Sequence, residues 1–302
     1  MVIDMTEPDS LTVSRSETFR SVLQTVNFGL KSENIPDYNG FRGLSFWGKT
    51  RTFTVLHERI RLMRSKVLVT DLDDTLLHNE PEEIPVLGRS GYRYMSEKSA
   101  ELLTEISRII PVLIATGRNA QSVRRLVRQL DSVRFCGFVL ENGLVSRTHL
   151  DNGNTAGEDE WAAVTRMLPD WERLTGYERC LGMIFPSSVE EPKGVLADVL
   201  SRAGKSEYLF YQERHKIFAY PFFPSKLSGV HSLGFEPLIV LGDELNDLDM
   251  LQAAPYPATM SSAREEAKEC VREKNGYCSS FASHAASEDI LTWAIEMIHK
   301  TL

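Results

Sequence analysis

From residue 66 onward the chain alternates between apolar runs of strand length and stretches with helical spacing. The apolar runs fall at residues 67–69, 109–115, 135–140 and 237–241. A polar loop at 79–93 and a helix at 96–106 separate the first run from the second, and a helix at 120–130 separates the second from the third. The fourth run is again followed by helical periodicity. Short, fully apolar strands joined through helices predict a parallel sheet covered on both faces, so the fold class is α/β. In open sheets of this kind ligands gather at the C-terminal ends of the strands.

Between the third and fourth strands the pattern changes. Residues 146–222 read as a helical stretch at 160–174 interrupted at Pro169, an apolar strand at 181–185, a helix at 191–203, and two alternating segments, 207–211 and 216–220, that form a hairpin. This is the pattern of a small sheet with helices on one side, and it predicts a separate α/β cap domain. The catalytic core is therefore expected to comprise residues 66–145 and 223–302. Residues 1–65 read as an N-terminal extension. It has an acidic, weakly apolar start at 1–15, an amphipathic helix at 16–30 (Phe19, Val22, Leu23, Val26, Leu30), an aromatic-bearing segment, and a second helix at 53–64.

The strand ends carry the candidate chemistry. The first run leads into Asp71, Asp73 and Asp74, followed by Thr75. Grouped carboxylates resist desolvation, and a fold tolerates them best where a cation compensates. If the extended backbone continues, its two-residue period turns Asp71 and Asp73 to one side; alternatively, acidic residues there suit the first turn of a helix. The second run ends in Thr116-Gly117-Arg118, where the hydroxyl and nearby N–H groups can hold an anionic oxygen, although Thr-Gly also makes an ordinary turn. The third ends in Glu141-Asn142-Gly143, and the fourth in Gly242-Asp243-Glu244-Leu245-Asn246-Asp247. Asp and Asn there are also common helix caps. Lys226 stands at the start of a helix, where lysines are usually solvated. Asp71 and Asp243 offer hard oxygen ligands from two strand ends, which suits Mg²⁺.

Composition narrows the classes. A net charge of −8 over 302 residues argues against a general nucleic-acid or anionic-membrane binder, and is compatible with a small phosphorylated metabolite as partner, since a local basic pocket can sit in an acidic whole. The four cysteines, Cys136, Cys180, Cys270 and Cys278, are too dispersed for a zinc site and read as thiols in a reducing compartment. The first residues lack a basic-then-apolar signal pattern, and no apolar run approaches the roughly 20 residues of a membrane span. A cytoplasmic location is expected.

The order of Asp71-Leu72-Asp73-Asp74-Thr75, then Thr116, then Lys226, then Gly242-Asp243-Glu244-Leu245-Asn246-Asp247 resembles the four motifs of the haloacid dehalogenase (HAD) superfamily of phosphatases. The position of the insert after Glu141-Asn142-Gly143 is similar to the subgroup with an α/β cap there, which includes Cof-type, sucrose-phosphate, trehalose-phosphate and mannosyl-3-phosphoglycerate phosphatases. The resemblance implies a Rossmann-like core and Mg²⁺-dependent hydrolysis of a small, sugar-like phosphate through an aspartyl-phosphate. It implies Asp71 as nucleophile and Asp73 as acid and base, with Mg²⁺ held by Asp71, Asp243 and the backbone carbonyl of Asp73. Thr116, Gly117, Lys226 and Asn246 would hold the phosphate, and Thr75 and Asp247 would support them. Glu244 stands where many relatives carry a small residue, and Lys216 is a conceivable substitute for Lys226. The Phe138–Val145 stretch also resembles α-phosphomannomutases, so phosphoryl transfer between sugar positions stays open, as does a non-catalytic phosphate sensor or interaction module. Leaving-group recognition is expected from cap residues, with Arg179, Tyr211, Arg214, His215 and Lys216 as candidates.

Overall fold

The computed structural model describes residues 66–88, 91–150, 160–205 and 207–302, all within one compact unit, Thr50–Leu302. The extension, with the helices expected at 16–30 and 53–64, lies outside the described residues. A seven-stranded sheet runs in the order β13-β12-β11-β1-β4-β5-β6. Its centre consists of β1 (Lys66–Thr70), β4 (Val112–Ala115), β5 (Phe135–Leu140) and β11 (Glu236–Leu241), the four runs expected to be strands. All of Val67–Val69, Val112–Ala115 and Leu238–Leu241 are buried. That burial on both faces is why these strands are uninterrupted apolar runs instead of alternating ones. The pairing is parallel, with Thr70 opposite both Leu241 and Ile114, and Ile114 opposite Phe138. Four strands therefore end at the same level.

The helices between them start on side-chain caps. Ser96 accepts from the Ser99 N–H (3.1 Å) ahead of α1 (Glu97–Ile109), and Asn119 accepts from that of Ser122 (2.9 Å) ahead of α2 (Ala120–Val127). Each such cap satisfies an N–H that the helix itself leaves orphaned.

Several boundaries and elements differ from the sequence reading. The helix α1 continues to Ile109, and Pro111 delays the second strand to Val112. The segment read as a polar loop at 79–93 contains a hairpin, β2 (Ile84–Leu87) with β3 (Tyr92–Met95). Only Val86 and Met95 of it are buried, so its apolar alternation is too weak to stand out beside Pro85 and the flanking glycines. Val145–Arg147 forms β6, an antiparallel edge strand of the central sheet, so the core extends past residue 145. The expected helix at 160–174 is α3 (Ala162–Met167) followed by a strand, β7 (Glu172–Leu174). Pro169 stops the helix, and Trp171 then packs into the apolar cluster of the cap. At the far edge of the central sheet, β12 (Tyr256–Met260) and β13 (Tyr277–Ser279) are two further parallel strands.

The insert builds a four-stranded antiparallel sheet in the order β7-β8-β10-β9, from β7, β8 (Leu181–Ile184), β9 (Leu209–Glu213) and β10 (Lys216–Tyr220). With α3 and α4 (Pro192–Arg202) it encloses its own apolar cluster, including Trp161, Trp171, Met183, Leu196 and Ile217. Chain exit from the cap leads into α5 (Lys226–Ser232), and the C-terminal part adds α6 (Leu248–Ala253), α7 (Glu265–Glu273) and α8 (Ser283–Thr301). No helix among the described residues is long and apolar enough to cross a membrane.

The long helix α8 is tied to the loop after β1. Ser287 donates to the Thr75 carbonyl (2.6 Å) and so accepts from His78 Nε2–H (2.7 Å). The His78 ring meets that of His284 edge to face at 4.9 Å. Burial, reinforced by His284, pushes the His78 imidazole down to about 4, while Asp74 and Glu80 oppose the shift and Arg93 adds to it. The unfolded chain therefore binds more protons than the folded one between pH 6.5 and 4. Stability from this site is fully present above pH 6.5 and is lost as pH falls toward 4, a change of up to about 3 kcal/mol. Urea titrations at pH 7.5 and 5 should show that loss, and His78→Gln should flatten it; an unchanged slope would mean that His78 is not the responsible group.

Candidate active site

The level strand ends bring distant segments together. Asp71 follows β1 directly, Thr116 follows β4 and Asp243 lies two residues past β11. Because β1 lies between β4 and β11, these three side chains share one crevice, as the rule for open sheets expects. Asp71, Asp243, Thr116 and Lys226 are all buried.

Lys226 is the centre of the arrangement. It sits at the first position of α5, behind the Ser225 cap, and is only 1% exposed. Its ammonium donates to Asp71 Oδ1 (2.8 Å) and Asp247 Oδ1 (2.6 Å). Burial alone would lower the affinity of this amine for its proton, but the Asp247 and Asp71 charges outweigh burial and raise it. Lys226 is therefore a permanent cation. Lys216, by contrast, opens β10 in the cap sheet and is not part of this cluster.

Asp247 is buried and holds the loop after β11 in shape. Its Oδ2 accepts from the N–H groups of Asp243 (3.1 Å) and Glu244 (3.0 Å). Gly242 lets that approach happen, since a Cβ there would stand 2.7 Å from the Cβ of Asp247. Thr75 donates to Asp243 Oδ1 (2.7 Å). One oxygen each of Asp71 and Asp243 is thus engaged by the protein, and no described donor is hydrogen-bonded to the other.

The Asp71, Asp243 and Asp247 carboxylates offer oxygens within 4.8 Å of one another. Burial, with the Asp247 and Asp73 charges, pushes Asp71 up to about 7 in spite of Lys226. Burial and the Asp71 and Asp247 charges push Asp243 up to about 9. Crowded, desolvated carboxylates of this kind fit a hard divalent cation, which relieves the repulsion that raises them. With both oxygens of Asp247 engaged, Asp71 and Asp243 are the natural side-chain ligands. The Asp73 carbonyl accepts no backbone hydrogen bond among the described residues and is available as a third oxygen.

Asp73 itself is held by Arg118. The guanidinium makes a two-pronged contact, Nε to Oδ2 at 2.7 Å and Nη2 to Oδ1 at 2.6 Å, and Arg93 from β3 lies 3.9 Å away. Burial works to raise Asp73, but the Arg118 hydrogen bonds and charge win and keep it below the usual carboxylate range. Arg93 also pairs with Asp74 (2.6 Å), whose φ of 55° marks the sharp turn in the loop after β1.

Thr116 lies beside this pair, its hydroxyl accepting from the Arg118 N–H at 3.3 Å. Gly117 faces Asn142, and a Cβ at residue 117 would stand 3.0 Å from Asn142 Oδ1. The same Oδ1 accepts from Asn246 (3.1 Å), and Asn142 Nδ2 donates to the Tyr220 hydroxyl (3.1 Å). Asn246 therefore reaches the cap-side Asn142, and Asp247 is the residue that touches Lys226.

Glu141-Asn142-Gly143 is a strained connection with φ of 52°, 57° and 101°. Left-handed Glu and Asn each cost on the order of 1 kcal/mol. The buried Glu141 carboxylate offsets this by accepting from the N–H groups of Glu178 (2.7 Å), Arg179 (3.0 Å) and Cys180 (3.2 Å). Gly143 is required because a Cβ would fall 2.0 Å from the Ser225 carbonyl oxygen, next to Lys226. With the Arg147–Glu178 ion pair and the Asn119 bond to the Thr175 carbonyl (3.1 Å), Glu141 pins one end of the cap beside the crevice.

Tyr220, Leu209 and the 175–180 loop form that end. Arg214 and His215 form the turn at the opposite end of the β9–β10 hairpin, four residues or about 13 Å away. They are remote from the crevice. The sequence reading assigned no role to Arg118, Arg93, Asn142 or Tyr220. Arg118 was legible only as part of Thr116-Gly117-Arg118, because its contact depends on β4 lying next to β1.

Residues 68–159 and 225–274 match the sequence model of a family described as haloacid dehalogenase-like hydrolase, and the unmatched gap covers most of the cap. In fold the chain is similar to a trehalose-6-phosphate phosphatase related protein, with 17% identity and a TM-score of 0.53, over 78% of this chain and 98% of that one. It is likewise similar to a haloacid dehalogenase-like hydrolase from Bacteroides thetaiotaomicron, with 15% identity and a TM-score of 0.53, over 76% of this chain and 99% of that one. No curated relative matches the chain.

Proposed function

Because the chain belongs to the haloacid dehalogenase-like hydrolases, we propose that it is a Mg²⁺-dependent phosphomonoesterase acting on a small, sugar-like phosphate. The observation that carries this reading is Lys226, locked between Asp71 and Asp247 so that Asp71 has one oxygen fixed and one free to attack. The Asp71 carboxylate attacks phosphorus in line, the bond to the leaving oxygen breaks, and Asp73 gives that oxygen its proton. Asp73, now ionised, takes a proton from water as the water attacks the aspartyl-phosphate, releasing phosphate and restoring Asp71.

Arg118 favours the ionised Asp73, the state needed for the second step. An incoming phosphoryl dianion competes for the same guanidinium and so frees Asp73 to carry a proton in the first. Thr116, Gly117 and Lys226 hold the remaining phosphoryl oxygens, and Asn246 closes the site from the side of Asn142. Asp71, Asp243 and the Asp73 carbonyl would hold Mg²⁺, which when bound withdraws charge from the phosphoryl group. A neutral leaving group suits the charges around it, since Arg118 and Arg93 are already balanced by Asp73 and Asp74. The trehalose-6-phosphate phosphatase related protein of similar fold supports the sugar-phosphate class.

The test is a panel of phosphorylated metabolites assayed for released phosphate with Mg²⁺ and with EDTA. Release should require the metal and be fastest with sugar phosphates. Isomerisation of a sugar phosphate without net release would replace this reading with the mutase, and binding without turnover of any ester would favour a sensor.

A further inference from the structure

The hydroxyls of Thr104, Thr165, Thr292 and Thr301 each donate to the carbonyl four residues before them. That is the ordinary way for a hydroxyl on a helix to satisfy itself. Ser287 of α8 does not follow it. It is fully buried, and its Oγ donates instead to the Thr75 carbonyl at 2.6 Å, 212 residues away in the chain. His78 Nε2–H takes the acceptor side of the same oxygen at 2.7 Å and so fixes the direction of the hydroxyl.

What Ser287 grips is the turn that carries Thr75. The N–H groups of Thr75 (3.3 Å), Leu76 (2.8 Å) and Leu77 (2.7 Å) all converge on the Leu72 carbonyl. The Thr75 carbonyl is buried and accepts no backbone hydrogen bond among the described residues. A buried carbonyl without a partner is costly, so Ser287 is the group that fixes this peptide. The side chain of the same residue serves the crevice, because Thr75 Oγ1 donates to Asp243 Oδ1 at 2.7 Å. A line of buried contacts thus runs from α8 through Thr75 to one of the two carboxylates best placed to hold a divalent cation. A serine present only for its small size, to let α8 pack close, would need neither this hydroxyl contact nor a histidine behind it.

We propose that Ser287 is a positioning residue for the metal site: by holding the Thr75 peptide it places the hydroxyl that orients Asp243, and so sets the affinity for Mg²⁺. This role rests on Mg²⁺ being the cation, as proposed above. Calorimetric titration of Mg²⁺ into the full chain without substrate tests it, with wild type, S287A, T75V and S287A/T75V compared. S287A should bind Mg²⁺ about tenfold more weakly and T75V at least as weakly, since outer partners of metal ligands typically change affinity by roughly 10–100-fold. Because Ser287 acts through the Thr75 hydroxyl, the double variant should match T75V within about twofold. I290V trims another buried side chain of α8 without touching these hydrogen bonds, and should bind Mg²⁺ as the wild type does. In hydrolysis of p-nitrophenyl phosphate, S287A should need about tenfold more Mg²⁺ for half-maximal rate and come within about threefold of the wild-type rate at saturating metal. Wild-type affinity in S287A, fully additive losses in S287A/T75V, or an equal loss in I290V would each overturn the proposal while leaving the phosphatase reading in place. A wild-type chain that binds no Mg²⁺ would overturn both.

Discussion

Asp71→Asn should reduce kcat by about 10⁴-fold or more, because the amide keeps the shape of the carboxylate but has no charge with which to attack phosphorus. The protein should stay folded and gain stability at pH 8. Burial and the Asp247 charge disfavour the ionised Asp71, raising it from 3.8 to about 7. Such a group lowers stability once pH rises above its folded value, and a neutral amide removes that cost. Lys226 keeps an acceptor in the Asn oxygen, and one negative charge leaves the cluster with Asp243 and Asp247. Lost activity with equal or higher thermal midpoint is the expected pair of results. Asp73→Asn gives a different signature. Without a proton donor, hydrolysis of sugar phosphates should fall far more than that of p-nitrophenyl phosphate, whose leaving group needs no proton. Ordinary turnover of a sugar phosphate by Asp71→Asn would rule out the covalent route.

Lys226→Met should lower stability at pH 8 by about 3–5 kcal/mol, since removing one partner of a buried ion pair strands the other charges. Here it strands two, Asp71 and Asp247, beside Asp243. Activity should fall with it, because nothing then counters the charge of the incoming phosphate. Acidification should recover part of the stability, as the carboxylates can take protons in place of the missing ammonium. The double variant Asp71→Asn/Lys226→Met should be more stable than Lys226→Met alone, as coupled sites require. Urea midpoints for the three variants at pH 5.5 and 8 measure this. A Lys226→Met protein as stable as the wild type at pH 8 would mean that the lysine does not hold the carboxylates together.

The sequence by itself determined the four central strands, since a strand buried on both faces must be written as an unbroken apolar run. It likewise determined Asp71, Thr116 and Asp243 as groups at the C-terminal ends of those strands, because each follows an apolar run within two residues. Pro169, visible in the chain, ended the first cap helix, although the strand β7 beyond it was missed because its three residues carry too little pattern.

Tertiary structure alone decided which ends meet. Strand order is not encoded in any local period: β1 lies between β4 and β11, and only that adjacency sets Arg118 on Asp73, and Lys226 between Asp71 and Asp247. The same is true of Glu141. A lone acidic residue at a strand end reads as solvated, and the three N–H groups that bury it come from a loop some forty residues further on. Hydrophobic periodicity reports which residues are inside because burial is a property of one residue and its near neighbours. Pairings between polar groups depend on contacts between segments far apart in sequence, and these exist only once the sheet has fixed its order.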